Sequence, residues 1–244
     1  MAARPALSIK IDNVRGAFPQ AGLNEADLVA DVLVEGGLTR LLATFQSRGA
    51  ELVGPIRSAR PVDAELLREL NGGVFAYSGA APGEIAPVKR RSTALLLSND
   101  AEPRWFWRDA RRPSPHTVFS STRRLYSAVG AHAARLVAPP QLFNYTSAVE
   151  TGRAVTSIAL HFSPTASAGW RWTGRYYVRT QDGRPDTLVG GAPVSTTNVV
   201  VMSVGSHGTG IRDAAGNEDP YVVVTGSGAC WVLRDGRLLP GRWV

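Results

Sequence analysis

Apolar and polar positions along the first half of the chain switch between a period of two and a period near 3.6. "LSIKI" (Leu7 to Ile11) alternates over a length suited to a strand, and "IDN" ends it. In "NEADLVADVLVEGG" the residues Ala26, Val29, Val32 and Leu33 share one helical face. Asn24 is a natural N-cap there, Glu25 and Asp27 suit the positive helix start, and Gly36 with Gly37 supplies a stop, so the pattern predicts a helix. "LTRLLATF" (Leu38 to Phe45) predicts a second strand and "ELVGPI" (Glu51 to Ile56) a third. Pro61 then opens a helix with Val62, Leu66 and Leu70 on one side. "GGVFAYSGAAPG" follows as an apolar strand breaking into a Gly/Pro loop. This β-α-β-β-α-β order predicts an α/β fold: an N-terminal mixed-sheet α/β sandwich with binding loops at strand ends.

From about Ala148 helical runs vanish. "AVTSIALHF", "WRWTGRYYVRT", "TNVVVMSV", "YVVVT" and "CWVLRDGRLLPGRW" predict short strands, with Asp182-Gly183 and Asp235-Gly236 as hairpin turns. The expected organisation is an α/β domain over residues 1–147 and a second, smaller β-rich domain over 148–244. "LVAPPQLF" (Leu136 to Phe143) connects them. No apolar run approaches the roughly 18 residues of a membrane span. The start enters a strand pattern at once, so the expectation is a sequence read without a signal peptide of about 15–30 residues, either cytoplasmic or with its leader removed. Cys230 lies in an apolar run and reads as a small buried hydrophobe.

Charge changes the picture only locally. The net +7 is nearly all arginine, with Lys10 and Lys89 the only lysines. Residues 1–88 carry 8 basic and 10 acidic side chains, whereas 89–124 carry 9 basic and 3 acidic. That basic stretch interleaves with tryptophans and could face nucleic acid, an anionic polymer or an acidic membrane surface; a solvated arginine face beside core tryptophans is the plain alternative.

The candidate chemistry centres on "GPIRSAR" (Gly54 to Arg60). If Ile56 ends a strand and Pro61 opens a helix, Arg57, Ser58 and Arg60 occupy a connection that suits a phosphate or carboxylate. Asp12 and Asn13 end the first strand, and Glu35 and Arg40 flank a turn, so all four can converge there. Asp12 and Glu35 would orient the arginines, act as bases or recruit Mg²⁺ with a substrate phosphate; the competing expectation is that they fasten the arginines into the fold. His116, in "SPHTVF", is a further ligand-binding candidate. His132, His161 and His207 have no metal-ligand spacing, and "GSHGTGIRDAAGNEDP" (Gly205 to Pro220) reads as a mobile connection between strands without calcium-loop spacing. No cofactor and no resident metal is expected.

Several segments, spread in order along the chain, resemble the YerB-like bacterial envelope lipoproteins, a family of unknown function. They include "IDN", "PQAGLNEADLV", "VEGGLTRLLATFQ", "GPIRSARP", "AYSGAAPG", "SPHTVFSSTRRLY" and "GSGACWVLRDGRLLPGRW". The resemblance implies an extracytoplasmic protein, tethered to the membrane in its full-length form, with an N-terminal α/β domain and a smaller C-terminal one. In "SGAAPG" alanines replace the family's usual "GGSP"-like run. The order of elements around the arginine loop also looks like the LytR-CpsA-Psr phosphotransferases, a likeness of architecture alone. The expectation is an envelope protein that binds an anionic ligand, such as a phosphate-bearing glycan or lipid-linked precursor, at Arg57, Ser58, Arg60, Arg40, Asn13 and His116. The alternatives are a metal-assisted phosphoryl or pyrophosphoryl transferase, a nucleic-acid binder, and a scaffold that docks a protein partner.

Overall fold

In the computed structural model, which describes residues 4–146, 151–213 and 216–244, "LSIKID" forms β1 (Leu7–Asp12) at the centre of a five-stranded sheet. The other strands are β2 (Leu28–Leu33), β3 (Thr39–Phe45), β4 (Val74–Tyr77) and β5 (Leu95–Ser98). Their order is β2-β3-β1-β4-β5; β3 pairs antiparallel with both β2 and β1, while β1, β4 and β5 are parallel. The sheet is therefore mixed, as expected. Leu7, Ile9 and Ile11 point into the main core, and the intervening Ser8, Lys10 and Asp12 form a polar line on the other face, with Ser8 Oγ 2.9 Å from Thr44 Oγ1.

The predicted sandwich is corrected in three places. The segment expected as a helix is a short 3₁₀ turn, Leu23–Glu25, followed by β2. Its apolar residues fit either period, and tertiary partners decide: Asp27 accepts from the N–H groups of Gln46 and Ser47 at the end of β3, so it anchors a β-pair instead of a helix start. The third strand, "ELVGPI", is a run of single bridges, Val53 to Ser120, Ala21 to Gly54 and Ile11 to Ile56. Gly54 explains the break, with φ 151 and a Phe119 ring atom 2.6 Å from where a Cβ would stand. Helices α1 (Asp63–Glu69) and α2 (Pro82–Arg91) lie together against the Leu42, Phe75 and Tyr77 face of the sheet. The opposite face is covered by residues 50–56, the two-residue strands β6 (Trp107–Arg108) and β7 (Val118–Phe119), and one short helix, α3 (Thr122–Ser127). Only one face is thus clad mainly by helices.

The C-terminal part is β-rich, as expected. It runs through β8 (Arg153–Ala154), β9 (Ser157–His161), β10 (Ser167–Trp172), β11 (Tyr177–Gln181), β12 (Arg184–Pro185), β13 (Ser195–Thr196), β14 (Asn198–Met202), β15 (Ser206–Arg212), β16 (Glu218–Val222), β17 (Gly228–Arg234) and β18 (Arg237–Trp243). One sheet holds β12-β11-β10-β9 with β13 on β11, and another holds β14-β17-β18-β8. Tyr177, Val199 and Leu233 form the small core between them. Both Asp-Gly turns adopt positive φ at both residues, the geometry of a two-residue hairpin. Where a connection between strands was expected over 205–220, the described residues instead form β15 and β16, which pair into a hairpin whose Asp219 is buried, because that hairpin packs on the N-terminal part. Cys230 is buried. Residues 136–146 carry no regular element, and the expected boundary at 147/148 lies outside the described residues.

The two parts share a polar and apolar seam. Leu188 and Val194 lodge in the main core of the N-terminal part. Arg179, on β11, donates to Asp31 of β2 at 2.6 Å and to Asp186 at 2.5 Å, and Ser163 Oγ donates to the Gly37 carbonyl at 2.6 Å. Burial opposes the Arg179 charge, yet the two carboxylates outweigh it and raise its pKa. Replacing Arg179 with Ala strands Asp186, which is 1% exposed. Urea unfolding of Arg179→Ala is expected to show a loss of about 3–5 kcal/mol.

Candidate functional site

The parallel strands β1 and β4 pair only as far as Ile9 and Ala76. Beyond that they part, and residues 57–59 fill the gap: Arg57 N–H donates to the Lys10 carbonyl at 2.8 Å, Ser78 N–H to the Arg57 carbonyl at 3.0 Å and Ala59 N–H to the Gly79 carbonyl at 3.1 Å. "IRSAR" therefore sits at the C-terminal ends of parallel strands, where open sheets commonly hold ligands. Antiparallel pairing sets Arg40 opposite Asp12, so the start of β3 reaches the same edge.

Glu35 organises the inner half of this edge. The turn between β2 and β3 needs positive φ at Gly36 (68°) and Gly37 (71°), and it turns the Glu35 side chain inward. Glu35 accepts from Arg40 Nη2 at 2.6 Å and from Arg60 Nε at 2.6 Å, and it also pairs with Arg60 Nη2. Arg60 Nη1 donates to the Ala59 carbonyl at 2.7 Å and lies 3.3 Å from Glu84, while Asp219 stands 3.6 Å from Nε. Every nitrogen of that guanidinium is engaged, and Arg60 is only 4% exposed. Arg40 is likewise buried, and its Nη1 donates to the Ser58 carbonyl at 3.3 Å. Burial and the neighbouring Arg60 bring Arg40 down to about 10. Burial alone would raise Glu35, but the Arg60 hydrogen bond and the two positive charges prevail and hold it below its ordinary value.

The outer half is organised by Asp12. Its Oδ2 lies 2.8 Å from His116 Nδ1 and 3.2 Å from Arg57 Nε. The His116 ring lies over Gly16, whose missing Cβ makes the room: such an atom would sit 2.6 Å from Nε2. Asn13 is buried and committed, donating to Thr39 at 2.7 Å and to Gln181 of the C-terminal part at 3.2 Å and accepting from Gln20 at 3.0 Å. Ser58 is half-buried beside Gly79. Arg57 is 29% exposed, and Asp12 is its one side-chain ion pair among the described residues. The structure thus brings all eight predicted residues to one end of the sheet but divides them, Arg40, Arg60 and Asn13 facing inward and Arg57, Ser58 and His116 toward the surface. The paired-arginine clamp expected from the sequence does not form, because Arg60 is sealed by Glu35, Glu84 and Asp219.

Sequence reasoning missed four members of this charged layer. Lys10 and Asp63 form an ion pair at 2.5 Å with both side chains fully buried, and Asp63 also accepts from the Arg60 N–H at 2.7 Å. Burial lowers the Lys10 pKa despite Asp63. Glu84 accepts from the Ala81 N–H at 2.5 Å at the start of α2 and so serves both the helix and Arg60. A lysine on the alternating face of a core strand was the available signal for the first pair; Glu84 and Asp219 had none. Among the described residues no group of three or more His, Cys, Asp or Glu side chains is arranged to hold a metal ion.

Asp219 is the strained member. Both its carboxylate oxygens are buried without a hydrogen bond. Burial pushes its pKa up to about 7, Arg60 opposing and Glu35 and Glu84 adding to the rise. The native state therefore retains a proton that the unfolded chain, with an ordinary value of 3.8, releases first. Stability contributed at this position falls as pH rises from about 4 to about 7 and is level above. The stability of Asp219→Asn relative to wild type is expected to increase across that window in urea titrations at successive pH values; a difference that does not vary with pH would contradict it. Glu35→Gln, which leaves two buried guanidiniums short of a countercharge, is expected to cost about 3–5 kcal/mol in the same measurement.

Comparison with known proteins places this architecture. Residues 1–135 match the N-terminal domain model of a protein of unknown function, DUF3048, and residues 158–244 match its C-terminal domain model. The chain is 26% identical to "Putative lipoprotein YerB" of Bacillus subtilis (strain 168), over 99% of this chain and 78% of that protein. The crystal structure of YerB from Bacillus subtilis superposes with a TM-score of 0.83 at 25% identity, covering 99% of this chain and 81% of the other. With both models matched in order and the fold shared end to end, the chain belongs to the YerB-like DUF3048 family.

Proposed function

We propose that this protein is a binding protein of the cell envelope that receives an anionic group at Arg57, with Ser58 and His116 beside it. One observation carries the reading: of the three arginines at this sheet end, Arg57 alone is partly exposed, and its guanidinium makes one ion pair, to Asp12, and no hydrogen bond among the described residues. Its position at the ends of β1 and β4 supports a ligand from solvent, such as the phosphate of a glycan or lipid-linked precursor. The name of the Bacillus subtilis relative, a lipoprotein, supports an extracytoplasmic, membrane-attached location. Binding is favoured over transfer because Asp12 and Glu35 are already bonded to cationic or imidazole partners and Ser58 Oγ has no base as a hydrogen-bond partner among the described residues.

A scaffold reading has its own support, the sealing of Arg40 and Arg60 inside the fold. The two are separated by titrating pyrophosphate while following the melting temperature. Under the anion reading the melting temperature rises with ligand, Arg57→Ala abolishes the rise, and Arg60→Ala loses about 3–5 kcal/mol of stability. A melting temperature indifferent to pyrophosphate and sulfate, with both variants less stable, would leave the arginines a purely structural task.

A further inference from the structure

A second basic surface lies at the other end of β1. Tyr126 on α3 donates to the carbonyls of Pro5 and Phe45, both at 3.0 Å, which sets α3 beside the start of β1, whereas Arg57 stands past its end. The length of a six-residue strand, about 20 Å, separates the two sites. Two hollows of about 470 and 670 Å³ adjoin there and share Glu51, Arg123 and Ser127 in their walls. Arg124 and Trp107 line one, and Arg4 and Tyr126 the other.

The charges in this groove are not spent internally. Arg4 lies over the Tyr126 ring at 4.7 Å, and its donors go to the carbonyls of Gln46 (2.5 Å) and Arg48 (2.7 Å), which fix the side chain without neutralising it. Arg124 lies over Trp107 at 5.7 Å and makes no ion pair among the described residues. Stacking on Trp107 occupies the face of the Arg124 guanidinium and leaves its in-plane donors for an anion. Arg123 meets Glu51 at 3.8 Å, but both side chains are more than four-fifths exposed, at 83% and 85%, and such a pair contributes little. Three arginines on separate stems therefore face one carboxylate. A planar carboxylate ligand engages one such fork at a time, while a phosphate offers oxygens in several directions.

We infer that this groove binds phosphate groups, independently of the site at Arg57. The chemistry is shared by phospholipid headgroups and by soluble polyphosphate, and the experiment separates them. Wild-type protein is tested for co-sedimentation with vesicles of phosphatidylglycerol and phosphatidylcholine against vesicles of phosphatidylcholine alone, and for heat of binding with tripolyphosphate, at low and raised salt. Expected are salt-sensitive binding to at least one phosphate probe, a loss of about tenfold or more in R123E/R124E, and no loss in Arg57→Ala. Binding to the anionic vesicles alone assigns a headgroup, and binding to tripolyphosphate alone assigns a soluble ligand. No binding to either, equal binding to both vesicle types with none to tripolyphosphate, or full affinity in R123E/R124E overturns the inference. Both reversed positions are exposed, so circular dichroism should report an unchanged fold; should it not, Arg124→Gln replaces the double variant with a smaller loss expected in the same direction.

Discussion

The fold turns on a buried carboxylate, Glu35, placed between two buried guanidiniums. Two arginines cannot be held together in a low-dielectric interior without a countercharge, since an unpaired buried charge costs several kcal/mol. Glu35 meets that demand for Arg40 and Arg60 at once. Three elements are located by it: the glycine turn that aims Glu35 inward, the first residues of β3, and the segment that leads into α1. Such a layer adds modest net stability compared with an apolar one, but a misplaced element leaves a naked charge, so the alternatives are penalised heavily.

This layer also governs what was legible in the sequence. The alternation of β1, the apolar run of β4, the helix after Pro61 and the β-rich second half follow local pattern, and all appear. The segment after Asn24 carries apolar residues at spacings that serve either period, and the choice of strand is made by Asp27 bonding to the end of β3 and Asp31 to Arg179. Helix α2 was hidden because Pro82 and Gly83 read as loop and Pro87 interrupts the helical signal, although its basic last turn, Lys89 to Arg91, suits a helix C-terminus. The convergence of Asp12, Glu35, Arg40, Arg57 and Arg60 on one sheet end was legible from strand ends. Which arginine faces solvent was not, because the residues that seal Arg60 come from α2 and from β16, far along the chain.

Cations on this protein therefore fall into two kinds. Lys10, Arg40, Arg60 and Arg179 are buried and matched by carboxylates, so they belong to the architecture. Arg57, Arg123 and Arg124 remain at the surface with charge to offer. The basic stretch noted in the sequence is likewise divided, ending α2 at Arg91, carrying exposed Arg111 on Asp109, and reaching the groove only through Arg123 and Arg124. Arginine content alone is a poor guide to binding in this chain, since partner and burial decide the use of each one.

The seating of Leu188 and Val194 in the main core bears on how the protein can be taken apart. Each buried aliphatic side chain is worth about 1.5–3 kcal/mol, and a domain's whole margin is about 5–15 kcal/mol. A fragment ending before the irregular stretch at residue 136 would expose the apolar surface those two residues cover and unpair Asn13 from Gln181 and Asp31 from Arg179. The two family models meet the chain as separate units, yet each half finishes the interior of the other. Dissection of this protein is therefore better done by substitution along the seam than by scissors.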